Sequence, residues 1–402
     1  MTRLAGPGMK TGLFYGALLV SLWLALELGS WGTLRVLPKL KGIHYEPIDV
    51  TSLSDEHRRI LSRFLEGSTA YVGYSATLGW TIKPGGAASP LYQANAQGFR
   101  ATREYSTNPG PGIRRVAAFG DSFTHGDGVG NSETWAEMLS VTAPGLEVLN
   151  FGVGGYGIDQ ALLRYRQEGK HFHPHIVLIG FMSENINRSV NVYRPFYAPG
   201  TGQPLAKPRF RIKAGRLSAL DNPIGSLEEY QQLLDDTPSV LARLGESDYF
   251  YGHRAHASPW DFLPSVRLLK LSIQEIRLSS EPIIRGGRYN RQGEAFAVTS
   301  AILDAFVAEV RADAARPLIL VFPARPDLRD NWSGGIRVYQ PLLDDFRAKG
   351  YEYVDLLDAF ERCRNHCAID SLVPGHYSAA GNRMIADFLR DFLNRTGELN
   401  QP

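Results

Sequence analysis

Five short, mainly apolar runs separated by helix-patterned stretches limit this chain to one class of architecture. The runs lie at 116–120, 146–151, 176–181, 318–322 and 351–356 and are rich in Val, Ile, Leu and Phe. Runs this brief suit strands buried on both faces, because a half-exposed strand would alternate apolar with polar residues. Apolar residues recur at helical spacing over 134–141, 158–168, 295–314, 339–348 and 379–393. A helix between successive strands carries the chain back to the same end of the sheet, so the strands run parallel and helices cover both faces. The expected fold class is α/β, a three-layer α/β/α sandwich on a five-stranded, mostly parallel sheet.

The composition agrees. Of 402 residues 44% are hydrophobic, enough for a proper core, and there is no repeat or low-complexity tract. Forty-three Lys and Arg stand against 41 Asp and Glu, a net charge of +2. With no basic excess to meet a phosphate backbone, a nucleic-acid partner is not expected.

One local extreme departs from this average. Residues 11–26 carry no charge and are rich in Leu, Val, Ala, Phe and Trp; after Glu27 the apolar run resumes as far as Arg35. Sixteen helical residues reach about 24 Å and twenty-four about 36 Å, which bracket a hydrocarbon core of roughly 30 Å. An N-terminal transmembrane helix fits if Glu27 sits near one interface. No small-x-small cleavage site follows, so an uncleaved anchor is favoured over a signal peptide. Arg3 and Lys10 precede the run and Arg35, Lys39 and Lys41 follow it, so the charge count does not orient the span. The chain then divides into an anchor (1–36), a stalk with an irregular subdomain (37–112), and the sheet-and-helix domain (113–396). The last is interrupted by a long insertion at about 188–294, expected to be a lid or substrate-facing subdomain.

In an open parallel sheet, ligands bind beyond the carboxyl ends of the strands. The first run ends in Gly120-Asp121-Ser122-Phe123-Thr124-His125-Gly126, which places a Ser at a strand-to-helix turn. The second leads into Asn150-Phe151-Gly152-Val153-Gly154-Gly155, whose glycines let backbone N–H groups approach a reacting oxygen. The third is followed by Ser183-Glu184-Asn185, a side-chain amide donor, and Asp370 and His376 precede the last helix. A nucleophile, two kinds of oxyanion donor and a late base on one rim are what acyl transfer requires.

Gly120-Asp121-Ser122, Asn150 with Gly152-Val153 and Gly155, Asn185, and His376 with Ser378-Ala379-Ala380-Gly381 resemble the four blocks of the SGNH (GDSL-type) hydrolase superfamily. The likeness spans about 114–394, and Leu78-Gly79-Trp80 with Asn95-Ala96-Gln97-Gly98-Phe99-Arg100 resembles the leader of its membrane-anchored bacterial members. The resemblance implies a flavodoxin-like SGNH fold with Ser122 as nucleophile and His376 as general base. The N–H groups of Ser122 and Gly155 and the Asn185 side chain would form the oxyanion hole. No cofactor and no metal are implied.

Two departures stand out. The family's acid lies three residues before the His, where this chain has Val373; Asp370, six residues before, serves only if the intervening loop folds it back. The third block reads Glu184-Asn185-Ile186 where Gly-x-Asn-Asp is usual. Asp121 reads as a helix cap, and His125 stays outside the catalytic set. His171, His173 and His175 alternate as metal ligands can, but Pro174 disturbs the segment. Cys363 and Cys367 are a candidate disulfide bracing the loop before His376, which would imply an oxidising compartment.

The aromatics and arginines of the insertion (Tyr193, Arg194, Phe196, Tyr197, Phe210, Arg211, Tyr249, Phe250, Tyr251, Arg254, Trp260) are candidates for stacking on sugar rings. The chain thus reads as a single-pass membrane protein with its catalytic domain in the periplasm or elsewhere outside the cytoplasm. It is expected to be an esterase or O-acyltransferase acting on small acyl esters, above all acetyl, of a carbohydrate. The alternative is a non-catalytic, polysaccharide-binding envelope protein of the same fold.

Overall fold

The computed structural model describes residues 7–399, so Arg3 lies outside them. Five strands form the central sheet: β1 (Arg114–Phe119), β2 (Leu146–Asn150), β3 (Ile176–Met182), β4 (Arg316–Phe322) and β5 (Tyr353–Asp355). Their order is β5-β4-β3-β1-β2, and every pairing is parallel. That order is the flavodoxin-like, doubly wound one, with its switch point between β1 and β3.

The connecting helices are α2 (Trp135–Thr142), α3 (Ile158–Gln167), α5 (Glu294–Ala312) and α6 (Gln340–Lys349), and α7 (Ala379–Arg395) closes the chain. Alternate strand residues serve opposite faces. Val116, Ala118, Val148, Leu178 and Leu320 pack beneath α2 and α7. Ala117, Phe119, Leu149, Ile179 and Val321 pack beneath α3, α5 and α6. All these strand side chains are buried, which is why the runs read as continuously apolar. Helix bounds fall within two residues of the periodic stretches; α2 starts after Thr134, whose Oγ1 accepts the Glu137 N–H and caps it.

The N-terminal helix, α1 (Pro7–Lys41), is long and apolar enough to cross a membrane, with a mean hydropathy of 1.6 over its best window. It runs five residues beyond the expected end at 36. The next segment, expected as a stalk with an irregular subdomain, has ordered contacts with the body. Hairpin Val72–Ser75 with Gly79–Ile82 and the loop that follows pack onto the body through a third apolar cluster, which holds Trp80 and Ile82 together with Tyr156, Leu205 and Tyr230 of the main domain and insertion. Trp80 is buried, and its indole N–H needs an acceptor; it takes the carbonyl of Gly154 at 2.9 Å. The insertion carries a hairpin (Arg209–Lys213 with Arg216–Leu220), three helices over 227–253, and α4 (Pro264–Ser280).

Candidate active site

A cavity of about 680 Å³ opens beyond the carboxyl ends of β1 and β3, at the switch point. Ser122, Asp127, Gly155, Glu184, Arg194 and His376 are on its walls. Ser122 begins a one-turn helix, Ser122–His125, directly after β1. Asp121 caps that turn by accepting the Phe123 N–H at 2.9 Å. Its other oxygen accepts from Asn185 Nδ2 at 2.9 Å and Arg188 Nη1 at 3.2 Å. Asp121 thus caps the turn after β1, as its sequence position suggested, and also ties it to the turn after β3. The loop after β2 passes close under the turn: a Cβ on Gly152 would stand 2.4 Å from the His125 nitrogen.

His376 comes from the loop before α7, and its Nε2 lies 2.8 Å from Ser122 Oγ. Its ring packs 5.1 Å from that of Phe123. The backbone around it is pinned, because Tyr377 donates its hydroxyl to the Pro323 carbonyl at 2.7 Å and Asn382 Nδ2 donates to the Tyr377 carbonyl at 3.0 Å. Ser and imidazole therefore stand within hydrogen-bond reach across 254 residues of chain.

The third member is not where the sequence suggested it. Asp370 does not fold back: its carboxylate pairs with Arg325 at 2.5 Å, and its side chain is 68% exposed. Val373, at the position where the family has its acid, is instead fully buried in the core under α7. Among the described residues, no carboxylate is hydrogen-bonded to His376. Two carboxylates share its cavity, Glu184 and Asp127, the latter five residues after the Ser. Burial would raise the Asp127 carboxyl, but His125, and after it His376 and Arg100, hold it below the ordinary carboxylate range. His125 itself is buried, donates or accepts at Tyr71 Oη (2.7 Å), and pairs with Asp127. Its burial pushes the imidazole down while Asp127 opposes this, and its two ring nitrogens tie the loop to Tyr71 and Asp127.

The Ser122 N–H is the first orphan donor of its helical turn, and among the described residues it has no acceptor. The Gly155 N–H is likewise unbonded. Gly155 adopts φ +83°, which only Gly takes without strain, and a Cβ there would crowd Trp80 at 3.3 Å and Arg194 Nη1 at 3.4 Å. Asn185 is less open than expected. Its Oδ1 accepts the Met182 N–H, its Nδ2 is drawn to Asp121, and it stands behind the cavity wall.

Arginines occupy the wall instead. Arg188 donates to the Tyr156 carbonyl at 2.7 Å and pairs with Asp121 and Glu184. Arg194 belongs to the insertion; its Nη2 is buried without a hydrogen-bond partner and 3.7 Å from Glu184. Burial opposes the Glu184 charge, but Arg188 and Arg194 outweigh it and hold this carboxyl at about 2.

The remaining sequence candidates are distributed otherwise. Tyr193, Phe196, Phe210 and Tyr249 are buried where the insertion packs on the rest of the body, and offer no sugar platform. Tyr197 is engaged with Glu184 and Arg194, Trp260 is exposed away from the cavity lining, and only Arg194 of the set reaches the cavity. Cys363 and Cys367 are joined as a disulfide, with Cα atoms 5.4 Å apart, in the segment leading to His376. His175 accepts the Arg115 N–H at 3.0 Å, which occupies one ring nitrogen of the alternating His series. Reasoning from sequence missed Asp127 and the wall arginine Arg188. It also missed that Arg100, in the loop upstream of β1, donates to the carbonyls of His125, Gly126 and Val129 and fixes the loop behind Ser122.

No family model matches the chain, and no curated protein matches it. Among solved structures it is similar to Axe2, an acetylxylan esterase from Geobacillus stearothermophilus, at 13% identity over 72% of this chain and 95% of that one, with a TM-score of 0.36. It is also similar to LAE5, an α/β hydrolase enzyme from the metagenome of Lake Arreo, Spain, at 16% identity over 73% and 100%, with a TM-score of 0.37. Both likenesses are low.

Proposed function

We propose that the chain is a serine esterase or O-acyltransferase that forms an acyl-serine at Ser122. The observation that carries this is the 2.8 Å contact of Ser122 Oγ with His376 Nε2 beside two unbonded N–H groups, on the wall of one cavity. Ser122 Oγ attacks the ester carbonyl while His376 Nε2 takes its proton. The carbonyl oxygen gains the charge and is met by the N–H groups of Ser122 and Gly155. One such donor stabilises the transition state by about 2.7–4 kcal/mol in other acyl-transfer enzymes. On collapse the C–O bond to the alcohol breaks, and the alcohol leaves with the proton held by His376. Water or a sugar hydroxyl then gives its proton to His376 and attacks the acyl-serine, regenerating Ser122.

In this reading the base works without a bonded carboxylate. Asp127 lines the same cavity as His376, and Asn185 and Asp121 position the nucleophile's turn. An acetyl ester of a carbohydrate remains the proposed substrate class, with the protein held by α1 and its body outside the cytoplasm. The Cys363–Cys367 disulfide supports that compartment. The test is turnover of an aryl acetate by the full chain in detergent, with Ser122→Ala and His376→Ala in parallel. Activity lost in both supports the enzyme. A folded wild-type chain that binds a polysaccharide but turns over no ester is the non-catalytic protein instead. An acetylated product on adding a sugar acceptor separates transfer from hydrolysis.

A further inference from the structure

Glu27 looks out of place in the apolar run of α1, and its partner explains it. Its carboxylate accepts the Ser265 N–H at 3.0 Å and the Ser265 hydroxyl at 2.5 Å. Ser265 lies in the first turn of α4, whose N-cap residue, Leu263, offers no side-chain cap, so α1 supplies the cap that α4 lacks. The contact also divides α1 in two. Residues 11–26 are exposed all round, whereas from Glu27 onward the helix packs on the body and Ser30 is buried. Trp31 is one turn past Glu27, and Arg35, a turn further on, lies over its ring at 4.2 Å. A Trp and an Arg at one end of an apolar span are the residues of a headgroup level.

The body presents apolar side chains on either side of that cap. Trp260 is 64% and Phe262 68% exposed. On α4, Leu269, Ile273 and Ile276 are exposed at a spacing of one helical face, while Leu271 is buried on the other. Exposed Arg277, Arg285 and Arg288 lie along or just beyond this stripe. Exposed Trp, Phe, Leu and Ile edged by arginines have the composition of a surface that meets a bilayer interface.

We infer that the face formed by Trp260, Phe262 and the Leu269–Ile273–Ile276 side of α4 rests on the lipid bilayer beside α1. The inference rests on α1 being a membrane anchor. Its consequence is that the insertion, which also supplies Arg194 to the cavity, is seated on the membrane rather than carried away from it on a stalk.

The test reconstitutes the full chain, carrying Leu269→Cys or Ile273→Cys, into liposomes containing anionic lipid and labels it with an environment-sensitive fluorophore. Val141→Cys on α2, 70% exposed on a different element, is the control. The labels on α4 are expected to shift to shorter wavelength and to be quenched several-fold more strongly by nitroxide-bearing lipid than the label at position 141. Equal, aqueous behaviour at all three positions in a chain that floats with the vesicles overturns the inference while leaving the anchor intact. A blue shift without quenching by nitroxide lipid, growing with protein density, overturns it in favour of a second copy of the chain. A chain that fails to float with the vesicles removes the anchor itself, and this inference with it.

Discussion

Replacing Asp370 with Ala separates a Ser–His pair from a conventional triad. The carboxylate meets Arg325 on the surface, with the two side chains 68% and 37% exposed, and touches no part of the Ser122–His376 pair. An exposed ion pair contributes about 0–1 kcal/mol, so the variant should fold with its melting temperature little changed. Its kcat/KM on an aryl acetate should stay within about three-fold of wild type, or roughly 0.65 kcal/mol in the barrier. A carboxylate that holds the base directly is worth about 10⁴ in kcat, close to 5.4 kcal/mol. The two accounts therefore differ by more than three orders of magnitude, well outside experimental scatter. Initial rates over a range of pH, with circular dichroism to verify folding, decide between them. A thousand-fold loss in a folded Asp370→Ala protein would refute the assignment of Asp370 to the surface and show that the loop before His376 closes during turnover.

Three further outcomes are expected. Gly155→Ala should keep the fold, because its new methyl meets only side chains at 3.3 Å or more, yet lower kcat by ten-fold or more as the strained φ displaces the N–H; this order of loss is below that for a donor removed outright. Asp121→Ala should cost about 3–5 kcal/mol in urea unfolding, since it leaves buried Arg188 short of a partner, and should depress turnover as well. Glu184 has a folded value of about 2 against an ordinary 4.5, so its ionisation stabilises the fold above pH 4.5, and that contribution fades as pH falls toward 2. Acid unfolding followed by fluorescence should accordingly be shallower for Glu184→Gln across that window than for wild type.

The sheet was legible because its strands are buried on both faces: 176–181 and 318–322 could hardly be read otherwise, and the structure pairs them directly. Ser122 and His376 were legible because each follows a distinctive local pattern at a strand end or before a helix. Asp127 was not, because its role depends on His376 reaching it from 249 residues away, and nothing at 127 itself marks that approach. The packing of the upstream segment was not legible for a similar reason. Pro and Gly between 84 and 112 signal turns, and turns alone cannot tell a free stalk from a loop pinned by Arg100 and Trp80. The aromatics of the insertion invited a surface role, yet Phe210 packs into the core of the main domain, and Tyr193 and Phe196 pack with Trp80 and Tyr156.

The central claim is that an acyl group passes through Ser122. Acid quench of the full chain during turnover of an aryl acetate, followed by peptide mass spectrometry, tests it directly. The account predicts one acetyl group on the peptide containing Ser122, enriched in His376→Ala if slow acylation still occurs and absent from Ser122→Ala. Steady turnover with no acyl on that peptide, or with equal labelling in Ser122→Ala, would contradict it.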